Sequence, residues 1–276
     1  MQKYWVFILS FLLTCLCSVS VDAQQGNGVL PHSSTAFVVI AHRGNHTEYP
    51  ENTLEAINAA IEVGAAYVEI DVRETKDSVP ILMHDVTVNR TTNGIGNVSA
   101  LMYNELKKLS LKSADGKQYQ IPTLEEVLQL CKNKINIYLD FKMASVKKVW
   151  ELLQKSGMQH QVIVYPNNIE QYKQWQQIAS YVPIITSVPE VYLTEDKLAQ
   201  FFANTKVAVV DNLYQPNLIK IAQQLGIKVW LDVESANENE TVWDRYVKMG
   251  TNGLQTDKPK ELISYLKKHG RTAKMN

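Results

Sequence analysis

Short apolar runs rich in Val and Ile alternate along this chain with stretches of helical periodicity, and that alternation constrains the fold more than any other feature. Strand-like runs fall at residues 37–41, 67–72, 80–84, 135–141, 161–165, 183–187, 207–211, 228–232 and 253–256. Most are continuously apolar rather than alternating, as expected of strands covered on both faces. Helical patterns fill the gaps at 145–155, 169–180, 195–204, 216–225, 240–249 and 259–268. Asn52-Thr53-Leu54-Glu55 and Thr123-Leu124-Glu125-Glu126 resemble capping boxes, and Gly64 reads as the stop of the helix carrying Leu54, Ile57 and Ile61 on one face. Repeated strand–helix units with short links imply parallel strands joined by right-handed crossovers. About eight such units predict a single-domain (β/α)8 TIM-type barrel, with an open doubly wound sheet as the alternative. Nine candidates exceed eight. The runs at 67–72 and 80–84 are joined only by a polar turn, so one strand is expected to be irregular or outside the ring. Residues 87–119, with Gly94, Gly96 and Gly116, read as an insertion after the third candidate, containing one short helix.

The ends of the chain read differently. Lys3 precedes an apolar run, Tyr4 to Leu16, too short to span a bilayer as a helix, and Val21-Asp22-Ala23 supplies small residues for cleavage. Residues 1–23 are therefore expected to be an export signal, 24–35 a polar linker and 36–270 the barrel domain. The exported product is expected in the periplasm or outside the cell, without a stable membrane span. Lipidation at Cys15 is the weaker alternative, because Thr14 fits such a site poorly. Cys131 is the one thiol outside the signal and lies on the apolar stripe Leu124, Val127, Leu128, Cys131, so it reads as a buried small hydrophobe. With 28 basic and 28 acidic residues, the chain lacks the cationic excess of a nucleic-acid-binding protein.

Charged and imidazole residues gather at the C-terminal ends of the early strands, where barrel enzymes hold their active sites. His42-Arg43 ends the first run, Glu69-Ile70-Asp71 lies in the second, His84-Asp85 ends the third and Asp140-Phe141-Lys142 ends the fourth. Alternation puts Glu69 and Asp71 on one strand face, about 7 Å apart. Such groups could form a purely structural ion network with Arg43 and Lys142, but so many at strand ends favour chemistry. Glu69, Asp71 and Asp140 offer hard oxygens suited to a divalent cation of the Ca²⁺ or Mg²⁺ type. His-Glu-x-x-His, Gly-x-Ser-x-Gly and P-loop patterns are all absent from the sequence, which argues against zinc hydrolase, serine hydrolase and nucleotide-loop readings. A cation, two imidazoles and the fixed charges of Arg43 and Lys142 suit an anionic phosphate ester. His32, His46, His160 and His269 lack this context and are expected at the surface.

In order along the chain, His42-Arg43-Gly44, Pro50-Glu51-Asn52-Thr53, Glu69-Ile70-Asp71, His84-Asp85, Pro122-Thr123-Leu124-Glu125-Glu126 and Thr256-Asp257-Lys258-Pro259 resemble the glycerophosphodiester phosphodiesterase family. The resemblance implies a barrel, Ca²⁺ or Mg²⁺ dependence, and hydrolysis of small glycerophosphodiesters to glycerol 3-phosphate and an alcohol. It implies His42 and His84 as the acid/base pair and Glu69, Asp71 and Asp140 as metal ligands. Arg43 and Lys142 would grip the phosphate, Glu51 would orient the His42-Arg43 region, and Trp230 would wall the glycerol pocket. Two departures bear on substrate. Asp140 stands where the family usually has Glu, and Trp230-Leu231-Asp232-Val233 replaces Trp-Thr-Val-Asn. Rival readings are a phospholipase D-like enzyme with a larger lipid substrate, a non-catalytic barrel binding a phosphorylated ligand, and, more weakly, a carbohydrate hydrolase.

Overall fold

The computed structural model describes residues 28–235 and 237–271. The expected signal and its Cys15 lie outside the described residues. Nine strands form: β1 Val38–Ala41, β2 Tyr67–Glu74, β3 Pro80–Leu82, β4 Asn136–Met143, β5 Val162–Pro166, β6 Ile185–Thr186, β7 Val209–Val210, β8 Lys228–Asp232 and β9 Gly253–Thr256. Eight of them run parallel in the order β5-β4-β2-β1-β9-β8-β7-β6. A parallel bridge between Val164 and Ile184 brings β5 beside β6 and all but closes the ring. An open doubly wound sheet is thereby excluded. The ninth strand, β3, folds back antiparallel on β2 and stays off the ring, as the missing crossover helix requires.

Helices α1 Leu54–Val63, α2 Tyr103–Leu106, α3 Leu124–Cys131, α4 Val146–Ser156, α5 Ile169–Ile178, α6 Glu195–Asn204, α7 Pro216–Gln224, α8 Glu240–Lys248 and α9 Pro259–Lys268 complete the fold. Only α2 belongs to the insertion; the other eight pair with the ring strands. The α3 capping box forms as its sequence reads, Thr123 and Glu126 each satisfying the other's backbone. At α1 the cap is Thr53 alone, whose hydroxyl accepts from Ala56 N, and Gly64 ends the helix at φ +83°. Asn52 takes no part in that cap, because its side chain is used elsewhere.

Alternation divides the core. Outward residues of the strands, among them Ile70, Leu139, Val164, Val229 and Leu254, pack under the helices. Inward residues, among them Ile40, Tyr67, Tyr138, Ile163 and Trp230, fill the barrel. A third cluster of Ile81, Met83, Val88, Leu106, Leu111 and Tyr119 packs the insertion onto β3. Cys131 is buried as its stripe requires. Residues 28–35, the described part of the expected linker, lie against the barrel rather than free of it. Leu30 packs on the interior cluster, Tyr67 Oη donates to Pro31 O at 3.0 Å, and Asn136 Nδ2 donates to His32 O at 2.8 Å. Polar sequence suggested a tether, but these backbone carbonyls satisfy groups at the N-terminal mouth. Among the described residues, no helix is long and apolar enough to cross a membrane.

Candidate active site

Strand register brings the acidic residues together. Asp71 lies directly opposite Asp140 in the β2–β4 pairing, and Glu69 sits one pleat below on the same inner face. Oxygens of Glu69, Asp71 and Asp140 all lie within 4.8 Å of one another. Glu69 and Asp71 are buried, at 3% and 1% exposure. Burial and then the neighbouring Asp71 and Asp140 push the Glu69 carboxyl well above its usual range, and burial also raises that of Asp140. Three carboxyls this close in a buried pocket repel one another unless positive charge joins them. Part of that charge is present: Lys142 Nζ donates to Asp140 Oδ2 at 2.6 Å and stands 3.3 Å from Asp71, while Arg43 Nε stands 3.5 Å from Asp71. Burial works against the Lys142 charge, but Asp140, Asp71 and Glu69 raise its pKa overall. The donors are hard oxygens, so the cluster fits a divalent cation.

The imidazoles are held by carboxylates. His42, in the turn leaving β1, donates Nδ1–H to Asp257 Oδ1 at 2.7 Å. His46 Nε2 reaches the same oxygen at 2.8 Å. Burial pushes the Asp257 carboxyl up, yet the bonds from both imidazoles outweigh it and hold it well below the usual range. His84 follows β3 and directs Nδ1 to Asp85 Oδ1 at 2.8 Å, with its backbone carbonyl clamped by Arg73 Nε at 2.9 Å and Nη2 at 2.7 Å. A carboxylate can only accept, so His42 and His84 carry a proton on Nδ1 and leave Nε2 free, whereas His46 presents its proton to Asp257 on Nε2.

Around this pair runs a chain of ion pairs. Glu51 accepts from Arg43 Nη1 at 3.0 Å and from Arg90 at 2.6 and 2.9 Å, and Arg90 also binds Asp85. Burial raises the Glu51 carboxyl, but Arg90 and Arg43 bring it below its ordinary value. The main chain before α1 is bent to deliver these groups. Arg43, Gly44 and Asn52 all have positive φ, and a Cβ on Gly44 would lie 2.7 Å from the Ala56 backbone, so only glycine fits there. Asn52 Nδ2 donates to Asp71 Oδ2 at 2.7 Å, and its Oδ1 accepts from Asp71 N at 3.1 Å.

His42, Arg43, Glu69, Asp71, His84, Asp140 and Lys142 thus line one cavity of about 240 Å³ at the C-terminal mouth, and Glu51 stands behind Arg43. Trp230 does not join them. It is 2% exposed inside the barrel, its ring 4.9 Å from that of Tyr67, one pleat below the mouth. Asp232, two residues on, is the β8 side chain that reaches the cavity. His46, expected at the surface, is half-buried on Asp257; its four-residue spacing from His42 within a turn was the available signal. Sequence reasoning also passed over Arg73, Arg90, Asp211 and Glu234. The last two stand at the ends of late strands, where the rule applied to the early strands would have found them.

The glycerophosphoryl diester phosphodiesterase family model matches residues 42–261. A glycerophosphodiester phosphodiesterase of Caldanaerobacter subterraneus subsp. tengcongensis is 30% identical over 245 residues, covering 84% of this chain and 99% of that protein. Among solved structures, a glycerophosphodiester phosphodiesterase of Agrobacterium tumefaciens superposes with a TM-score of 0.74 at 22% identity, covering 83% of this chain and 99% of that one. A phosphodiesterase of Oleispira antarctica, solved in complex with the product sn-glycerol-3-phosphate, gives a TM-score of 0.73 at 22% identity over 83% of this chain and 96% of its own. Family model and full-length relative agree with the fold and the order of motifs: the chain belongs to the glycerophosphoryl diester phosphodiesterase family.

Proposed function

We propose that this phosphodiesterase hydrolyses deacylated glycerophosphodiesters to glycerol 3-phosphate and an alcohol, with a Ca²⁺ or Mg²⁺ ion held by Glu69, Asp71 and Asp140 and proton transfer by His42 and His84. The observation that carries this reading is the gathering of three carboxylates and two carboxylate-anchored imidazoles in one small cavity. A bound divalent cation supplies Lewis acidity, stabilising phosphate charge and easing deprotonation of an oxygen nucleophile. The chain's own residues do the rest. Arg43 and Lys142 attract the phosphate and offset its charge. One imidazole takes a proton at Nε2 from the substrate's free glycerol hydroxyl as that oxygen attacks phosphorus, and the other donates from Nε2 to the leaving alcohol. The resulting cyclic phosphate is opened by water with the two roles exchanged. Asp257 and Asp85 keep each ring oriented, as a carboxylate behind a catalytic histidine does.

The cavity favours a small substrate over an intact lipid. Its lining contains no aliphatic side chain among the described residues, so nothing there would receive an acyl chain. Release of glycerol 3-phosphate from a headgroup panel, with and without chelator, tests the reaction. Turnover that chelator abolishes and Ca²⁺ or Mg²⁺ restores is expected, and no turnover of any member would refute it. His42→Ala and His84→Ala are each expected to lower kcat at least about 100-fold; near-normal activity removes that residue from proton transfer. We further propose export through residues 1–23, supported by the charge, apolar run and small residues of that segment. The N-terminal sequence of the secreted protein tests it.

A further inference from the structure

Three more carboxylates line the same cavity. Asp211 follows β7, Asp232 ends β8 and Glu234 lies just beyond. In the ring, β7 and β8 stand four strands from β2 and β4, so this wall faces the Glu69–Asp71–Asp140 cluster across the mouth. None of the three pairs with Lys, Arg or His among the described residues, since Arg43 and Lys142 are engaged with Glu51, Asp71 and Asp140. Asp211 accepts only from Ser187 Oγ, at 2.7 Å.

A second observation points to a ligand. Gln255, 6% exposed, is the β9 partner of Asp232 and turns inward to the cavity. Its Oε1 is buried without a hydrogen-bond partner, and so are Asp232 Oδ1 and Glu234 Oε2. Buried acceptors left unpaired are costly and few in folded proteins. Three on one cavity wall mark a place for a donor from outside the chain. The ligand is not a metal ion of the kind that suits the opposite wall. Oxygens of Asp211, Asp232 and Glu234 do not gather within 4.8 Å, whereas those of Glu69, Asp71 and Asp140 do. Nor does a quaternary ammonium answer the need, because it has no N–H. A primary ammonium carries one charge and three donors, matching three acceptors on an acidic wall. Tyr138 and Tyr165 also line the cavity, their rings 6.3 Å apart.

We propose that the Asp232–Glu234–Gln255 wall is a subsite for a primary ammonium group on the alcohol half of the substrate, making aminoethyl-type diesters the preferred class. This rests on the phosphodiesterase reading above. The glycerol half has no charge to offer such a wall, so the ammonium belongs to the leaving alcohol. Its place in the same small cavity as the phosphate-binding groups requires an arm of only a few bonds. Asp232, at the end of β8, supplies the central carboxylate.

Calorimetric titration of the purified, Ca²⁺-loaded protein with 2-aminoethyl phosphate and with n-propyl phosphate tests the subsite without turnover. The aminoethyl ester is expected to bind about tenfold to 100-fold more tightly, the range of a charge-assisted hydrogen bond. Asp232→Asn and Glu234→Gln should each narrow that ratio at least about fivefold, with circular dichroism verifying the fold. Equal affinity of the wild type for both esters, or a ratio unchanged in both variants, overturns the proposal. Glycerol 3-phosphate release from the ethanolamine and n-propanol diesters separates the two levels. Equal kcat/KM for both overturns the subsite while upholding the reaction. Binding preference with no hydrolysis of either diester refutes the phosphodiesterase reading and leaves the ammonium subsite standing.

Discussion

Replacing Asn52 by Ala is expected to destabilise the protein by about 4 kcal/mol, and each part of that figure has a visible source. Asn52 is buried at 3% exposure, and both polar ends of its side chain bind Asp71. Alanine leaves Asp71 N without an acceptor, costing roughly 1 kcal/mol, and Asp71 Oδ2 without a donor, costing roughly 2 kcal/mol because that oxygen is charged. The residue also sits at φ +59°, a conformation Asn tolerates far better than Ala, which adds roughly 1 kcal/mol. Asn52→Gly loses the same bonds but accepts this φ, so it should cost no more than Ala. Urea unfolding in the presence of chelator is the proper assay, because a bound cation would add its own stability. An unchanged urea slope with a lowered midpoint is expected, together with a fall of about 10 °C in the thermal midpoint. Both variants within about 1 kcal/mol of wild type would refute the reasoning and show that Asp71 finds its partners elsewhere.

Two further outcomes follow from burial. Trp230→Ala should cost about 3–5 kcal/mol, as loss of a large interior ring does, while Trp230→Phe should leave KM within about twofold. A large rise in KM at unchanged thermal stability would put Trp230 back in the substrate pocket. Burial pushes the Asp211 carboxyl up to about 6, outweighing the hydrogen bond from Ser187, against about 3.8 in the unfolded chain. Below about pH 4 both states hold the proton. As pH rises from about 4 to about 6 only the unfolded chain releases it, so folding stability falls, by up to about 3 kcal/mol, and levels off above. The thermal midpoint of Asp211→Asn, measured against wild type, should therefore climb across that window, and a constant gap would contradict the assignment.

How much of this was legible in the sequence depends on how local each feature is. All nine strand runs form, and the surplus strand was visible as two runs joined by a turn too short for a crossover. Inner and outer faces followed from alternation, which set Glu69 beside Asp71 and aimed Asp140 and Lys142 the same way. Depth inside the barrel was not legible. Trp230 faces inward as alternation requires, but how far each strand is staggered along the ring axis depends on pairing register, and that register leaves Trp230 in the core and lifts Asp232 to the mouth. His46 escaped because a turn has no periodicity to argue from. Residues 28–35 escaped because their anchoring uses backbone carbonyls, which every sequence possesses.

Strand β3 pairs with one strand only, β2, besides a bridge from Ile81 to Thr123, and the insertion that follows it has a small apolar cluster of its own. The ring supplies the acids, the basic side chains and His42, whereas His84 arrives on this appendage. One half of the proposed proton-transfer pair is therefore mounted outside the closed framework. Descendants of such a barrel can lengthen, shorten or reshape that arm, altering entry to the cavity and the reach of one imidazole, without reopening the ladder on which the fold depends.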